Sequence, residues 1–103
     1  MHAEIANRRD AIGDLCRRFG VSRLEVFGSA ARGEDFDPAK SDADFLVEFA
    51  SGSGAPAFRR REGLAKALEK LLGRHVDLVR YDAIENPYIR ASVERSRQVV
   101  YGA

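Results

Sequence analysis

The most constraining feature of the sequence is a pair of apolar runs separated by a glycine-bounded turn. Residues 24–27 (Leu-Glu-Val-Phe) lead directly into residues 28–33 (Gly-Ser-Ala-Ala-Arg-Gly), and a second apolar run covers residues 43–49. Alternation of apolar and other side chains with a period of two is typical of a strand that buries one face. The two runs therefore predict strands on either side of a turn that begins at Gly28.

Two aspartates stand at the start of the second predicted strand. Because successive side chains of a strand point to opposite faces, Asp42 and Asp44 share one face. The other face carries the apolar side chains of Ala43, Phe45, Val47 and Phe49. Two like charges about 7 Å apart along a strand repel each other, and a divalent cation between them would relieve this. Mg²⁺ is the expected ion, because it takes one or two carboxylates together with phosphates and water.

The turn itself has the composition of a phosphate-binding turn. A glycine lets the main chain approach a triphosphate closely, and N–H groups at a helix start point donors at it. Ser29 can add its hydroxyl, and Arg32 follows in a helix-compatible run. The alternative is a plain strand-to-helix turn, with Ser29 as its cap and Asp42 as a turn residue.

These residues resemble the signature of a known family. The run at residues 28–33, followed by Ser-Asp-Ala-Asp at residues 41–44, resembles the Gly-Ser and Asp-x-Asp signature of DNA polymerase beta-like nucleotidyltransferases. The short chain and the Ala-Arg-Gly ending of the turn are similar to the minimal nucleotidyltransferases, the antitoxin halves of two-gene toxin–antitoxin systems. The resemblance covers nearly the whole chain. It implies an α+β fold of the polymerase beta type, a small mixed sheet of about four strands with flanking helices.

Helical periodicity predicts three helices around that sheet, at residues 3–19, 56–72 and 86–97. Asn86 is the expected N-cap of the third helix, and Ile89 and Val93 are expected to face inward. The apolar stripes of the first two helices comprise Ile5, Ile12, Leu15, Cys16, Phe19, Phe58, Leu64, Ala65, Leu68, Leu71 and Leu72. Short apolar runs predict the remaining strands at residues 76–79 and 99–101.

The third predicted strand contains a third acid, Asp77. An aspartate among valine and leucine is costly to bury unless it is paired or metal-bound, so Asp77 lies at a sheet edge or completes the site. By resemblance, Asp77 matches the family's third carboxylate. The resemblance thus implies that catalytic and metal-binding roles fall to Asp42, Asp44 and Asp77, and nucleotide binding to Gly28, Ser29 and Arg32.

Length and composition limit the number of domains, the cellular location and the partners that the sequence allows. A chain of 103 residues and 11.4 kDa is expected to form one nucleotidyltransferase domain over residues 1–103, with no room for a separate acceptor-binding domain. No stretch approaches the roughly 20 apolar residues of a membrane span, and no signal-peptide pattern opens the sequence. A single cysteine favours a reducing cytoplasm. The net charge of +1 argues against direct nucleic-acid binding.

The family resemblance also implies an activity and a partner. The chain resembles minimal nucleotidyltransferases that transfer AMP from ATP to a tyrosine of a HEPN ribonuclease toxin encoded by a neighbouring gene. The acceptor is expected to be another protein, which leaves room for a hetero-oligomer. Nothing in the spacing distinguishes ATP from another triphosphate. Two alternatives remain open: an antitoxin that neutralises its toxin by binding alone, and a nucleotidyltransferase for a small-molecule hydroxyl.

Overall fold

A computed structural model describes residues 3–28, 43–50 and 57–102 of the chain. The elements in chain order are α1 (Ala3–Ala6), α2 (Arg9–Arg18), β1 (Val21–Phe27), β2 (Ala43–Phe49), α3 (Ala57–Leu72), β3 (Val76–Val79), a 3₁₀ helix (Tyr81–Ala83), α4 (Pro87–Ser96) and β4 (Gln98–Tyr101). Three of the predicted site residues, Ser29, Arg32 and Asp42, lie outside the described residues.

The four strands form one mixed sheet in the order β3-β2-β1-β4. Strand β1 is antiparallel to both β2 and β4, whereas β2 and β3 are parallel. A parallel pair needs a crossover connection, and α3 supplies it between β2 and β3. The prediction of a small mixed sheet of four strands with flanking helices is confirmed.

The main core lies between one face of the sheet and helices α1, α2 and α3. The apolar face predicted for β2 is confirmed, because Ala43, Phe45 and Val47 are buried there and Phe49 packs against them. The core is completed by Ile5, Ile12, Cys16, Val21, Leu24, Val26, Leu64, Leu68, Leu72, Val76 and Val100. Burial of this continuous apolar surface is the main stabilising term for so small a fold.

A smaller cluster covers the opposite face of the sheet. Leu46, Ile84 and Val93 are buried in it, and Phe27, Val79 and Tyr81 pack against them. Strand alternation puts Asp44 on the same face as Leu46. Helix α4 therefore lies on the face of the sheet that carries the β2 carboxylate.

The predicted first helix is interrupted. Helix α1 ends at Ala6, and the Arg8 N–H donates to the Ile5 carbonyl, three residues back, at 3.1 Å. This tighter turn breaks the α-helical ladder before α2 begins at Arg9, yet Ile5 and Ile12 on either side of the break still reach the core.

The prediction that two apolar residues face inward is wrong. Phe58 is 65% exposed, because it lies six residues before Leu64, where the buried stripe of α3 begins. Ile89 is 53% exposed, since burial on α4 begins one turn later, at Val93. The N-cap prediction is confirmed: the Asn86 side chain accepts hydrogen bonds from two backbone N–H groups of the first turn. Among the helices within the described ranges, none has the length and apolar character to cross a membrane.

Candidate active site

Two of the three predicted carboxylates lie side by side. Asp44 on β2 and Asp77 on β3 are register partners in the parallel pair. Aligned residues of neighbouring parallel strands point to the same face, and such strands lie about 4.8 Å apart. The two acids are 33 positions apart in the sequence, and the sheet brings them to one place.

Gly28 adjoins this pair from the other side. Phe27, the last residue of β1, is the register partner of Asp44, and Gly28 follows it. Gly28 has φ +71°, and a Cβ at this position would lie 3.1 Å from the Asp44 Oδ2. Both the left-handed backbone and the short distance require glycine here. The end of β1 therefore passes directly beside the β2 carboxylate.

The Gly28 N–H is already satisfied within the fold. It donates to the Ser96 Oγ at a distance of 3.0 Å. The sequence pattern predicts that Gly28 and Ser29 offer backbone donors to a phosphate. The Gly28 N–H is therefore already occupied, and the prediction of a donor at Ser29 lies outside the described residues.

Asp77 lies in an exposed position. Strand β3 is at an edge of the sheet, and the Asp77 side chain is 49% exposed. This position agrees with the sheet-edge alternative drawn from the sequence, in which the carboxylate does not pay the cost of full burial. The His75 Nδ1 lies 3.7 Å from the Asp77 Oδ1, and its Nε2 lies 3.8 Å from the Glu69 Oε2. An imidazole thus lies beside the acid.

The donor set suits a hard divalent cation. Among the described residues no group of three or more acidic, histidine or cysteine side chains is placed to hold a metal ion, and Asp42 lies outside them. Mg²⁺ needs only one or two carboxylates, because phosphate oxygens and water complete its six ligands. The register partners Asp44, on the inner strand β2, and Asp77, on the exposed edge strand β3, supply the two carboxylates of that requirement. Zinc sites would need nitrogen or sulfur ligands instead.

Helix α4 is fixed to the site by a serine that the sequence interpretation missed. Ser96 is buried, and its hydroxyl donates to the Ser92 carbonyl at 3.1 Å while accepting from Gly28. The available signal was its spacing: Ser96 lies three residues after Val93, on the buried stripe of the helix. A polar residue on such a stripe needs a partner, and here the partner is the turn.

A second contact joins the end of α4 to β1. Arg97 donates through Nε to the Glu25 Oε2 at 2.6 Å, and Arg23 donates to the Glu25 Oε1 at 2.7 Å. Glu25 is only 3% exposed. The hydrogen bond to Glu25 raises the pKa of Arg97. A buried carboxylate held by two guanidinium groups thus anchors the chain immediately after Ser96.

A cavity lies at the opposite end of β2 from Asp44. It has a volume of about 490 Å³ and is lined by residues that include Phe49, Arg60, Arg80 and Tyr81. These residues come from the carboxyl end of β2, the first turn of α3 and the segment after β3, whereas Asp44 lies at the amino end of β2. The cavity is therefore separate from the carboxylate pair.

Solved structures with the same fold define the class of protein. One of a candidate minimal nucleotidyltransferase superposes with a TM-score of 0.72 at 39% sequence identity, covering 95% of each chain. A chain of a tri-AMPylated Shewanella oneidensis HEPN toxin in complex with MNT antitoxin superposes with a TM-score of 0.63 at 21% identity, covering 96% of this chain and 73% of that one. At such low identity the second likeness shows the fold alone.

Sequence comparison identifies the family. A family model described as a nucleotidyltransferase domain matches residues 8–100. The protein adenylyltransferase MntA of Thermococcus cleftensis is 38% identical over 88 residues, which are 85% of this chain and 81% of that protein. The chain belongs to the nucleotidyltransferase domain family, and the resemblance read from residues 28–33 and 41–44 is confirmed.

Proposed function

We propose that the protein is a Mg²⁺-dependent nucleotidyltransferase that acts as an antitoxin. It transfers AMP from ATP to a tyrosine hydroxyl of a partner HEPN ribonuclease toxin encoded by a neighbouring gene. The observation that carries the proposal is the in-register pair of Asp44 and Asp77 beside the left-handed Gly28. That arrangement combines a cation site with a turn that a triphosphate can approach.

Asp42, Asp44 and Asp77 are the residues that would hold one or two Mg²⁺ ions. When bound, such ions stabilise the attacking and leaving oxygens of an in-line displacement at a phosphorus atom. The support from the fold is that two of the three acids share one face of two neighbouring strands. Two carboxylates held this way repel each other, so the pair adds nothing to the sheet's own stability.

The remaining site residues position the nucleotide. Gly28 admits the phosphates next to Asp44, and Ser29 and Arg32 hold the distal phosphates. The tyrosine oxygen forms a bond to the α-phosphorus while the bond to the bridging oxygen breaks and pyrophosphate leaves. Asp77 lies on the exposed edge strand, where a protein substrate has access, and it accepts the proton of the tyrosine hydroxyl.

The proposed donor, acceptor and partner rest on the relatives. The Thermococcus cleftensis relative is named a protein adenylyltransferase. The Shewanella oneidensis structure contains an AMPylated HEPN toxin together with an MNT antitoxin. By extension, we propose ATP as the nucleotide, a HEPN toxin as the protein substrate and the cytoplasm as the compartment. The lone Cys16, buried and unable to pair within the chain, suits a reducing compartment.

The experiment that tests this proposal is label transfer from α-labelled ATP with Mg²⁺ onto the co-expressed product of the neighbouring gene. We expect label on that protein from the wild-type chain and none from γ-labelled ATP. The Asp42→Asn/Asp44→Asn double variant should transfer no label. Glu48→Gln is the matched control, since Glu48 is an exposed acid on the same strand and face as Asp44.

The alternatives give different results. A binding antitoxin would transfer no label, and the double variant would still protect cells from the toxin. A transferase for small molecules would label a hydroxyl compound of the cell extract and leave the neighbouring protein unlabelled. Loss of both label and protection in the double variant, with the Glu48→Gln control active, is the outcome that the proposal requires.

A further inference from the structure

We propose that Ser96 is a positioning residue for the nucleotide, acting through its hydrogen bond to the Gly28 N–H. The inference rests on the proposed function, because it assumes that a triphosphate approaches the main chain at Gly28. It adds a residue from α4, far along the chain from the glycine turn and the carboxylates. The expected ligand is Mg²⁺·ATP or another magnesium nucleoside triphosphate.

The direction of the hydrogen bonds at Ser96 is fixed. A serine hydroxyl has a single hydrogen to donate, and the Ser92 carbonyl, 3.1 Å away, can only accept it. The lone pairs of the same oxygen therefore face the Gly28 N–H, 3.0 Å away, which can only donate. The buried hydroxyl is satisfied on both sides, and replacing it with a methyl group would leave the Gly28 donor without this partner.

Gly28 needs such an anchor, because it lies just beyond the paired part of β1. The ladder with β2 ends at Phe27, and the ladder with β4 ends at Val26. Glycine has the largest conformational freedom of any residue, and a free Gly28 could leave its left-handed conformation. The course of the main chain beside Asp44, where a triphosphate would approach, depends on that conformation.

The Ser96 hydroxyl is held in place by the packing and hydrogen bonds of its neighbours on either side. Val93, one turn before Ser96, is buried against the sheet, and Arg97, the next residue, is bonded to the buried Glu25. The hydroxyl is thus fixed relative to β1 at the level of both Glu25 and Gly28. A site held by packed neighbours of this kind keeps its geometry before the ligand arrives.

The test compares Ser96→Ala with two conservative variants and a matched control. Ser96→Thr keeps a hydroxyl that can make both hydrogen bonds, whereas Ser96→Cys keeps the size but offers a weak acceptor. Ser92→Ala is the control, because Ser92 lies one turn earlier on the same helix and takes part through its backbone carbonyl. For each variant, we would measure Mg²⁺·ATP binding by calorimetry and the kcat and KM of label transfer, with thermal unfolding to establish the folded fraction.

We expect Ser96→Ala and Ser96→Cys to bind Mg²⁺·ATP about tenfold more weakly or worse, with KM raised more than kcat is lowered. Ser96→Thr and Ser92→Ala should stay within about threefold of wild type. If Ser96→Ala fails to fold, the Cys and Thr pair gives the same comparison. A structural role alone would lower the melting temperature and leave Kd and KM unchanged, which would overturn the inference.

The same measurements distinguish a failure of the proposed function from a failure of the role proposed for Ser96. A wild-type chain that binds Mg²⁺·ATP but labels no protein would contradict the proposed transfer, and the affinity series would still decide the role of Ser96. A wild-type chain that binds no Mg²⁺·ATP overturns both. If Ser92→Ala and Ser96→Ala lose the same affinity for Mg²⁺·ATP, the effect belongs to the helix as a whole, and Ser96 is rejected as the positioning residue.

Discussion

Asp44 and Asp77 are register partners on the two parallel strands of the sheet, with α3 as the crossover between them. Like charges directly opposite each other on neighbouring strands destabilise a sheet. The fold nevertheless places them together, with the left-handed Gly28 on the far side of Asp44. The proposed cation site gives this pair of acids a function.

The first prediction concerns Asp77→Asn. We expect label transfer to fall by about 100-fold or more, since the variant removes both a metal ligand and the proposed proton acceptor. Without Mg²⁺, its free energy of unfolding should equal or exceed that of wild type by up to about 1 kcal/mol, because the repulsion with Asp44 is removed. Adding Mg²⁺ should raise the melting temperature of wild type more than that of the variant.

Asp82→Asn is the control for that experiment. Asp82 is an exposed acid shortly after β3 that pairs with Arg80. Its replacement removes the same charge beyond the opposite end of β3, away from the carboxylate pair, so transfer should stay at the wild-type rate. Full transfer by Asp77→Asn would contradict the assignment of the third acid.

The second prediction compares two glycines with nearly the same backbone. Gly28 has φ +71° and Gly73 has φ +69°, but a Cβ on Gly73 would meet nothing within 4 Å. Gly73→Ala should therefore cost only the left-handed strain, roughly 1–2 kcal/mol of unfolding free energy. Gly28→Ala should cost more and also lose transfer, because its methyl group displaces the Asp44 carboxylate. Urea unfolding and label transfer together measure both effects.

Local sequence patterns were sufficient for much of the fold. The alternation along β2 identified its buried face, and Asn86 followed by Pro87 identified the start of α4, because both signals depend on neighbouring residues. The end of β1 at a turn beginning with Gly28 was also predicted from local sequence, whereas its left-handed backbone is a finding of the structure. Features of this kind are encoded within a few positions of the chain.

Features that depend on distant parts of the chain were not predictable. The alignment of Asp44 with Asp77 is set by the length and docking of α3, which no local pattern gives. Ser96 acquires its role only because α4 packs across β1 and reaches Gly28. For Asp77 the sequence left a sheet edge and a place in the site as alternatives, and its exposure follows from the position of β3 at the sheet edge. Strand order and helix docking decide these three points.

The third prediction concerns pH and Glu94. A hydrogen bond from the Tyr81 hydroxyl, and then the bonds from Arg97, lower the pKa of Glu94 below its ordinary 4.5. The ionised carboxylate is thus favoured in the folded state, and its stabilising contribution is present above pH 4.5 and lost as the pH falls through the lowered pKa. We expect Glu94→Gln to be less stable than wild type at pH 7, with the difference vanishing in acid.

Urea unfolding across a pH series measures this difference. Glu85→Gln, which removes an exposed glutamate just before α4, is the control for the loss of one surface carboxylate. A Glu94→Gln difference that stays constant down to the most acidic pH would show that the carboxylate charge is not its source.

The last prediction concerns Cys16, on the buried stripe of α2. Burial raises the pKa of its thiol from 9.0 to about 12, against the smaller opposing effect of Arg17. Because the thiolate is the reactive form, Cys16 should react with a chromogenic disulfide reagent at pH 8 only when the fold opens, roughly 1000-fold more slowly than an exposed thiol. Ala91→Cys in a Cys16→Ala background, on the exposed face of α4, supplies that exposed reference. Fast reaction of Cys16 in the native protein would show that α2 separates from the sheet more readily than its buried contacts imply.

The raised pKa of the Cys16 thiol also makes the stability of the fold depend on pH. Between pH 9 and 12 the unfolded thiol ionises while the folded one stays protonated. The contribution of the buried, protonated thiol to the free energy of unfolding is therefore present below pH 9 and is lost as the pH rises.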